Sequence, residues 1–352
     1  MKILTINCGS SSIKYKLFEM PQEKLLSSGK IEHIGEEGSY VQDHYSGLKV
    51  ILEKIKSVSA VGHRVVHGAE RFQKPVVVDE SVIRMIRKCS VIAPLHNPAN
   101  LAGIKACKRL LPQVKQVAVF DTAFHHTLPD YAYIYGLPYE YYKRLSIRKY
   151  GFHGTSHEYV AHEAAKILKK PFKKLKIITC HLGNGCSIAA IKNGISIDTI
   201  MGFTPLEGLV MGTRCGDLDP AVVTYIMLRR GLDIHEMDDI LNKSSGLKGI
   251  SGISNDMRTL YARAKTGDKR ARLAIDIFVY RIKKYIGAYT AVMNGCDALV
   301  FTAGIGENLK DIRERVCKDM FTCYKNPPKV LVIPTNEELM IARQAFGLIK
   351  RG

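Results

Sequence analysis

Residues 2–18, KILTINCGSSSIKYKLF, decide the fold that we predict for this chain. Residues 2–7 form a short apolar run rich in Ile, and residues 13–18 largely alternate apolar with polar side chains. Two such runs around a Gly/Ser-rich segment are typical of two strands joined by a turn. The chain therefore opens with a predicted β-hairpin.

The same pattern returns in the second half of the chain. Residues 175–199, LKIITCHLGNGCSIAAIKNGISIDT, indicate a strand, a Gly-rich turn and a second strand, and Asn193-Gly194 is typical of a tight turn into a third. When Gly9 is aligned with Gly183, Ile13 falls within one residue of Ile188. This weak internal repeat predicts two related halves.

Helix-like stretches lie between the strand-like ones. They occupy residues 81–90, 99–111, 156–168, 220–230, 271–294 and 309–316. Ser156 is predicted to cap the third of them, and residues 298–302 form a buried strand before the segment AGIGEN. Strands that alternate with helices in two halves predict an α/β architecture with a cleft between two lobes. The length of 352 residues also favours two domains.

Charge narrows the class of function only slightly. The chain has 52 Lys and Arg against 33 Asp and Glu, a formal charge of +19. Nucleic acid, an anionic membrane surface and small anionic substrates all suit this excess. The basic residues are dispersed, and the densest cluster, at 169–176, surrounds Pro171 as in a solvated surface turn.

Cysteine usage points to a reducing compartment. The nine cysteines are odd in number and contain no C-x-x-C pair, which argues against a disulfide framework and a structural zinc site. No segment approaches the ~20 apolar residues needed to cross a bilayer. We expect a soluble, cytoplasmic protein.

Three Gly-rich turns follow directly after strands, at 9–12, 183–187 and 304–307. Glycine lets backbone N–H groups approach a phosphate closely. One such turn is weak evidence, because glycine also serves hairpin geometry, but three together favour phosphate binding. None matches the G-x-x-x-x-G-K-[ST] or G-x-G-x-x-G pattern, so the common P-loop and dinucleotide-binding folds are disfavoured.

Two arginines and an aspartate are candidates for the chemistry. Arg64 and Arg214 both lie in Gly-rich segments, and a guanidinium offers a planar fork for carboxylate or phosphate oxygens. The alternative for each is a surface ion pair. Asp121 ends an apolar strand, where it could hold Mg²⁺, act as a base or orient an arginine; a capping role is equally compatible.

Histidines are concentrated near Gly, Asn, Thr and Ser. They are His63, His67, His96, His125, His126, His153, His157 and His181. Without an H-E-x-x-H or similar spacing, contact with phosphate or substrate is preferred over zinc.

Taken together, these segments resemble the acetate kinase family, within the superfamily of actin-like and sugar-kinase-like phosphotransferases. The resemblance runs nearly end to end. The matching motifs are NCGSSSIK (7–14), GHRVVHG (62–68), APLHNP (93–98), FDTAFH (120–125), YGFHGTSH (150–157), HLGNGCS (181–187), MGFTPLEG (201–208), MGTRCG (211–216), FTAGIGEN (301–308) and PTNEEL (334–339).

The resemblance implies an actin-like ATPase fold, also called ribonuclease H-like, with a mixed five-stranded sheet flanked by helices in each lobe. The active site is expected in the cleft between the lobes. The N-terminal lobe would span 1–123 joined by a C-terminal helix at 340–352, and the nucleotide-binding lobe 124–339. It also implies a homodimer and direct in-line transfer of the γ-phosphoryl group of ATP to acetate, giving acetyl phosphate and ADP. The expected metal is Mg²⁺, with Mn²⁺ as an alternative, and neither nucleic acid nor membrane is an expected partner.

Residue roles follow from the matched motifs. The resemblance implies that Arg64 and Arg214 hold the acetate carboxylate and the transferring phosphoryl group, that Asp121 positions them and that His153 stabilises the transition state. It implies an acetate-methyl pocket of Val66, Leu95, Phe152 and Pro205. It implies Asn7 and Glu337 as metal contacts, with Glu338 an alternative to Glu337. The implied nucleotide-binding residues are Ser10, Ser12, Lys14, His181, Leu182, Gly183, Asn184, Gly185, Gly304, Ile305, Gly306 and Asn308.

The chain also departs from the family pattern. Residues 34–60 are compact compared with most relatives, residues 321–329 lack part of the usual connection, and Cys186 replaces a more usual Ser. One alternative function is a propionate or butyrate kinase of the same family, although Val66 disfavours a longer acyl chain. Alternatives of a different class are a non-catalytic actin-like ATP-binding switch protein and a basic nucleic-acid binder.

Overall fold

The structure, a computed structural model, describes residues 1–94 and 96–351. The chain forms two compact units. Unit 1 comprises Met1–His126, Phe152–Tyr159 and Asn336–Gly352, and unit 2 comprises Thr127–Gly151 and Val160–Thr335. The lobe boundaries expected from the sequence, 1–123 and 124–339, stay a prediction.

Strands and helices alternate along much of the chain. The strands are β1 (Lys2–Cys8), β2 (Ile13–Glu19), β3 (Lys24–Ile31), β4 (Ala60–Val65), β5 (Val76–Val77), β6 (Lys115–Phe120), β7 (Lys176–Leu182), β8 (Cys186–Lys192), β9 (Ile195–Thr199), β10 (Ala298–Thr302) and β11 (Lys329–Val332). The α-helices are α1 (His44–Glu53), α2 (Glu80–Cys89), α3 (Asn97–Leu110), α4 (Asp130–Tyr133), α5 (Tyr139–Leu145), α6 (Gly154–Leu168), α7 (Pro220–Arg230), α8 (Ile234–Asp239), α9 (Gly246–Ser251), α10 (Met257–Lys265), α11 (Lys269–Met293), α12 (Ala303–Asn308), α13 (Lys310–Cys317) and α14 (Glu337–Arg351). Short 3-10 helices at Ala123–Thr127 and Phe172–Lys174 and a π-helix at Ile240–Ser244 complete the set.

The two sheets share one strand plan. In unit 1 the order is β3-β2-β1-β4-β6-β5, and in unit 2 it is β11-β10-β7-β8-β9. Each begins with an antiparallel meander, β1-β2-β3 or β7-β8-β9, and each adds parallel strands beside the first strand of that meander. This common plan confirms the two related halves that the internal repeat predicted.

One detail of the predicted sheets was wrong. The sheet of unit 1 has six strands rather than five, because the two-residue strand β5 pairs antiparallel with β6. Two residues are too short to show a period in the sequence. The predicted turn at Asn193-Gly194 is present, and both residues have positive φ, 57° and 85°, as a type I′ hairpin turn requires.

Alternate residues of β1 explain why helices cover both faces of the first sheet. Leu4 and Ile6 pack with Leu48 and Ile51 of α1. Ile3, on the opposite face, packs with a cluster that includes Ile341 and Ala342 of α14. Successive side chains of a strand point to opposite faces, so β1, whose residues 3–6 are all buried, is covered on both sides.

Capping residues set the ends of several helices. Asp219 accepts a hydrogen bond from the Ala221 N–H at the start of α7, and Gly231 ends that helix in the left-handed region. The prediction that Ser156 caps α6 was wrong, because the helix begins at Gly154. Among the described residues, no helix combines the length and apolar character needed to span a membrane.

Candidate active site

In unit 1, three predicted site residues lie at the carboxyl ends of neighbouring parallel strands. Asn7 is near the end of β1, Arg64 near the end of β4, and Asp121 directly follows β6. These strands are parallel and adjacent, with Ile6 opposite His63 and Arg64 opposite Val119. Open α/β sheets bind their ligands at this edge, so the strand order itself gathers these side chains.

Arg64 and Asp121 form a bidentate ion pair. Arg64 Nη2 donates to Asp121 Oδ2 over 2.6 Å, and Nε donates to the same oxygen over 3.0 Å. The Thr155 hydroxyl donates to Asp121 Oδ1 over 3.0 Å. Asp121 is only 1% exposed. The carboxylate therefore holds the guanidinium in place, a contact that fits the predicted role of orienting an arginine, and that role stays a prediction.

Glu337 and Glu338 begin α14 and have different partners. Glu337 Oε2 lies 3.7 Å from Arg64 Nε, whereas Glu338 Oε2 lies 3.1 Å from Lys16 Nζ. Burial raises the pKa of Glu337, and the positive charge of Arg64 opposes that shift. Burial disfavours the charged form of Arg64 as well, but Asp121 and then Glu337 outweigh it and raise the pKa of Arg64. Glu337, rather than Glu338, belongs to the Arg64–Asp121 cluster.

Phe152 and His153 lie immediately before α6, in unit 1. His153 has φ of 57°, in the left-handed region that non-glycine residues rarely adopt, and its carbonyl accepts from the His157 N–H over 2.9 Å. The Gly154 N–H donates to the Asp121 carbonyl over 2.9 Å. A Cβ at Gly154 would lie 2.2 Å from that oxygen, so a larger residue would displace the segment. His153 is thereby tied to the strand end that carries Asp121.

Two asparagines that the sequence reasoning missed fix the backbone beside Arg64. Asn100 Oδ1 accepts from the Val66 N–H, and its amide donates to the Cys8 carbonyl. Asn97 exchanges two hydrogen bonds with the backbone of His67. Both asparagines are buried in the first turn of α3. They join the ends of β1 and β4, and the only signal in the sequence is their spacing of three in NPAN.

Three further predicted residues of unit 1 lie in or beside the first turn. Ser10 and Lys14 are exposed and Ser12 is partly buried, and the turn is closed by the Gly9 N–H, which donates to the Ser12 carbonyl over 2.8 Å.

Two residues of the predicted acetate-methyl pocket are buried in unit 1: Val66 is 8% exposed and Phe152 is 2% exposed. Leu95, the remaining predicted pocket residue of the first half, lies outside the described residues.

Unit 2 contains a pocket of about 560 Å³ at the carboxyl ends of β7 and β10. This volume is within the usual range for a small-molecule site. Five predicted nucleotide residues line it: Gly183, Asn184, Gly304, Ile305 and Asn308. Five further residues that the sequence reasoning missed also line it: Asn255, Asp256, Met257, Arg258 and Leu309.

Four of the missed residues, 255–258, lie at the start of α10 and are tied to the Gly-rich turn, whereas the fifth, Leu309, directly precedes α13. Asn255 donates to Asn184 Oδ1 over 3.0 Å. Arg258 and Asp256 form an exposed bidentate pair, with Nη2 2.7 Å from Oδ2. Nothing in the sequence around DMR distinguishes this helix start from others, so only the fold identifies it as a pocket wall.

Other predicted nucleotide residues have different positions. His181, Leu182 and Gly306 are buried, with His181 and Leu182 in β7, and none of them is among the residues that line the described pocket; nor is Gly185. The expected turn at 304–307 is a short helix, α12. Cys186, in place of the usual Ser, is fully buried, and its thiol donates to the Gly183 carbonyl over 3.1 Å. Burial raises its pKa to about 12. The neutral thiol therefore closes the turn.

Arg214 differs from Arg64 in having no carboxylate partner within the part of the chain that the structure describes. Its Nη1 donates to the Pro205 carbonyl over 3.3 Å and lies 3.8 Å from the Met211 sulfur. Burial lowers its pKa, the Cys186 thiol opposes this shift, and no carboxylate does. A largely buried cation without a counter-ion is poised to bind an anion.

The described residues contain no cluster of three or more His, Cys, Asp or Glu side chains that could hold a metal ion on their own. All nine cysteines are free thiols.

Comparison with known proteins agrees with the geometry. The sequence profile of the Acetokinase family matches residues 2–324. The acetate kinase of Halothermothrix orenii is 49% identical over 99% of this chain and all of its own length. The crystal structure of Porphyromonas gingivalis acetate kinase superposes with a TM-score of 0.92 at 43% identity, covering 99% of both chains. That of a propionate kinase from Francisella tularensis gives the same TM-score and identity over 98% of this chain and 99% of its own. The chain has the actin-like ATPase type of fold and belongs to the acetokinase family.

Proposed function

We propose that this chain transfers the γ-phosphoryl group of ATP to acetate, reversibly, to form acetyl phosphate and ADP. The observation that carries the proposal is Arg214, a largely buried guanidinium whose hydrogen bonds go to a carbonyl and a sulfur rather than to a carboxylate. Such a group suits an anion that arrives with the substrates. Membership of the acetokinase family supports phosphoryl transfer to a short carboxylic acid.

The reaction needs little covalent help from the protein. A carboxylate is already a nucleophile, so catalysis consists of aligning two anions and offsetting their repulsion. In this mechanism Arg214 binds the transferring phosphoryl group, and Arg64 holds the acetate carboxylate. The bidentate contact of Asp121 with Arg64 keeps that guanidinium oriented before acetate binds.

His153 would donate a hydrogen bond to the equatorial phosphoryl oxygens in the transition state. Its strained backbone conformation supports this role, because such strain persists where the surroundings impose it and clusters at active sites. The hydrogen bond from the Gly154 N–H to the Asp121 carbonyl would fix the position of His153 relative to Arg64, the acetate-binding arginine.

The pocket of unit 2 would hold the nucleotide. Its walls are Gly-rich segments that follow β7 and β10, and they offer backbone N–H groups to the phosphates. Exposed Arg258 and Asp256 at its rim would contact the ribose or base. Ser10, Ser12 and Lys14, in and beside the first turn of unit 1, are proposed as further phosphate-binding residues.

Asn7 and Glu337 would hold Mg²⁺. Mg²⁺ in phosphoryl-transfer sites keeps several waters and takes only one or two protein carboxylates in addition to phosphate oxygens, so an amide and a carboxylate fit it. The raised pKa of Glu337, caused by burial and by neighbouring Asp121 and Glu338, indicates a carboxylate that gains from a nearby cation. When bound, the ion would neutralise charge on the β- and γ-phosphate oxygens.

The preferred acid is proposed to be acetate. Val66 and Phe152 are buried and would pack against a single methyl group, and Pro205 is proposed as a further contact for it. The propionate kinase among the structural relatives keeps a longer acid as the second candidate.

The proposed enzyme is a cytoplasmic homodimer. Helix α7 supports the dimer, because it has no buried residue although it is mostly apolar. Val222, Tyr225 and Leu228 follow at intervals of three and are 44%, 62% and 84% exposed. A second copy of the chain would cover this face. Changing Leu228 to Glu should shift the purified protein from dimer to monomer in light scattering, whereas the same change at Lys269 should not.

Hydroxylamine trapping tests the activity. Purified chain, ATP, Mg²⁺ and acetate should give acetyl hydroxamate, and acetyl phosphate with ADP should give ATP. Arg214→Ala should lower kcat by orders of magnitude, while Arg272→Ala, at an exposed position of α11, should not change it. If the wild type forms no acyl phosphate from any short acid, the proposed function is wrong.

A further inference from the structure

The loop that carries Arg214 is closed at its neck by one aspartate. The Gly208 N–H donates to Asp217 Oδ1 over 2.7 Å, and the Asp217 N–H donates to the Gly208 carbonyl over 2.9 Å. Gly208 has φ of 111°, which only glycine adopts without strain. Asp217 thus joins both ends of the loop from residue 208 to 217.

The second carboxylate oxygen of Asp217 is bound from a different element. The Tyr285 hydroxyl, on the long helix α11, donates to Asp217 Oδ2. Burial, and then the adjacent carboxylate, raises the pKa of Tyr285, so the hydroxyl remains a donor at neutral pH. The Asp217 side chain therefore connects the loop neck to α11, a helix of 25 residues.

The interior of the loop is also ordered around Arg214. The Met211 N–H donates to the Arg214 carbonyl, and the Arg214 side chain donates to the Pro205 carbonyl. Just before the neck, Glu207 accepts from Tyr135 and lies 3.0 Å from Lys149 Nζ. Both flanks of Gly208 are thus held, and Asp217 is the only one of these acids that spans the loop itself.

We propose that Asp217 is a positioning residue for Arg214: by closing the loop and tying it to Tyr285, it holds the guanidinium where it binds the transferring phosphoryl group. This inference rests on the proposed function. Asp217 itself would touch neither substrate nor metal. Its effect would appear in kcat, because an arginine that moves loses contacts made in the transition state.

Three variants separate this role from a general loss of folding. Asp217→Ala removes both side-chain contacts and should lower kcat by about 10- to 100-fold, with the KM for ATP changed less than about threefold. Asp217→Asn keeps an oxygen for the Gly208 N–H and should restore most of kcat. Tyr285→Phe removes only the hydroxyl and should give an intermediate fall. Tyr280→Phe, which is 66% exposed on the same helix, is the matched control and should equal the wild type.

Hydrogen exchange gives a readout that does not depend on activity. In Asp217→Ala the amides of residues 208–217 should exchange at least about tenfold faster than in the wild type, while those of β7 and β10 keep their rates. If residues 208–217 exchange faster in Asp217→Ala but the wild type has no kinase activity, only the proposed function is contradicted. Unchanged kcat in Asp217→Ala, or a fall in kcat that Asn fails to restore at an unchanged melting temperature, would overturn the role of Asp217.

Discussion

Arg64 is bound side-on by Asp121, with Nη2 2.6 Å and Nε 3.0 Å from the same carboxylate oxygen, whereas the Arg214 side chain donates to a carbonyl oxygen and a sulfur and, among the described residues, to no carboxylate. The two guanidiniums assigned to the same reaction therefore differ in what they leave behind when removed. Loss of Arg64 strands a buried carboxylate, but loss of Arg214 strands no charge.

This difference predicts opposite effects on stability. Arg64→Ala should lower the free energy of unfolding by about 3–5 kcal/mol, the usual result of breaking a buried pair on one side. Arg214→Ala should change it by less than about 1 kcal/mol, because a buried cation without a counter-ion is itself unfavourable. Urea denaturation without substrates measures both. Lys310→Ala, which breaks an exposed pair with Glu314, is the control and should cost about 0–1 kcal/mol. Equal losses at Arg64 and Arg214 would contradict the contrast.

The adjacent acids at the start of α14 predict a difference in metal dependence. Glu337 lies beside Arg64 and Asp121, whereas Glu338 is paired with Lys16 at 3.1 Å. Glu337→Gln should raise the Mg²⁺ concentration for half-maximal activity by about tenfold or more, equivalent to ~1.4 kcal/mol of lost binding. Glu338→Gln is the matched control and should shift it by less than about twofold. A larger shift for Glu338 would assign the metal contact to that residue instead.

Val65, the last residue of β4, and Val66, which follows it, provide a test of the proposed acetate-methyl pocket. Val65 packs in a core cluster with Phe72 and Phe120, whereas Val66 is the residue expected at the acetate methyl group. Val66→Ala should raise kcat/KM for propionate relative to acetate by about 10- to 200-fold, since one methylene is worth ~1–3 kcal/mol. Val65→Ala should leave that ratio unchanged and lower stability by about 1–3 kcal/mol. A ratio that moves with Val65 but not with Val66 would place the methyl group elsewhere.

The first hairpin and helix α7 could be predicted from the sequence, because local patterns determine both. The hairpin of β1 and β2 pairs Lys2 with Glu19 through Cys8 with Ile13, and α7 runs from Pro220 to Arg230 as the sequence indicated. Both depend on period, turn residues and caps, which are written in consecutive positions. The start of α6 was misplaced because the Gly154 N–H bonds to the carbonyl of Asp121, a partner 33 residues earlier that no local rule anticipates.

The same limit applies to the site. Motifs indicated Arg64, Asp121 and Arg214, but their different electrostatic states follow only from tertiary contacts: Asp121 meets Arg64 at neighbouring strand ends, whereas Arg214 lies in a loop and donates to the Pro205 carbonyl. Asn100 was missed because its partners, Val66 and Cys8, are 34 and 92 residues away in the chain. Asp256 and Arg258 were missed because a polar helix start gives no sign that it lines a pocket.

Buried His63 predicts a loss of stability in mild acid. Its Nε2 lies 2.6 Å from Gln116 Oε1, its side chain is 2% exposed, and burial lowers its pKa to about 4, with the Gln116 contact opposing that shift. In the unfolded chain a histidine titrates near 6.5, so between these values the unfolded state binds more protons. The free energy of unfolding should therefore fall as the pH drops from about 6.5 to 4, by roughly 3 kcal/mol from this residue alone. His63→Asn keeps a donor for Gln116 and should remove that slope, whereas His33→Asn, at an exposed site, should keep it. Urea denaturation at pH 7, 6 and 5 gives the free energy of unfolding of each variant and of the wild type. If the difference in free energy between His63→Asn and the wild type is the same at all three pH values, His63 is not held neutral in the folded state.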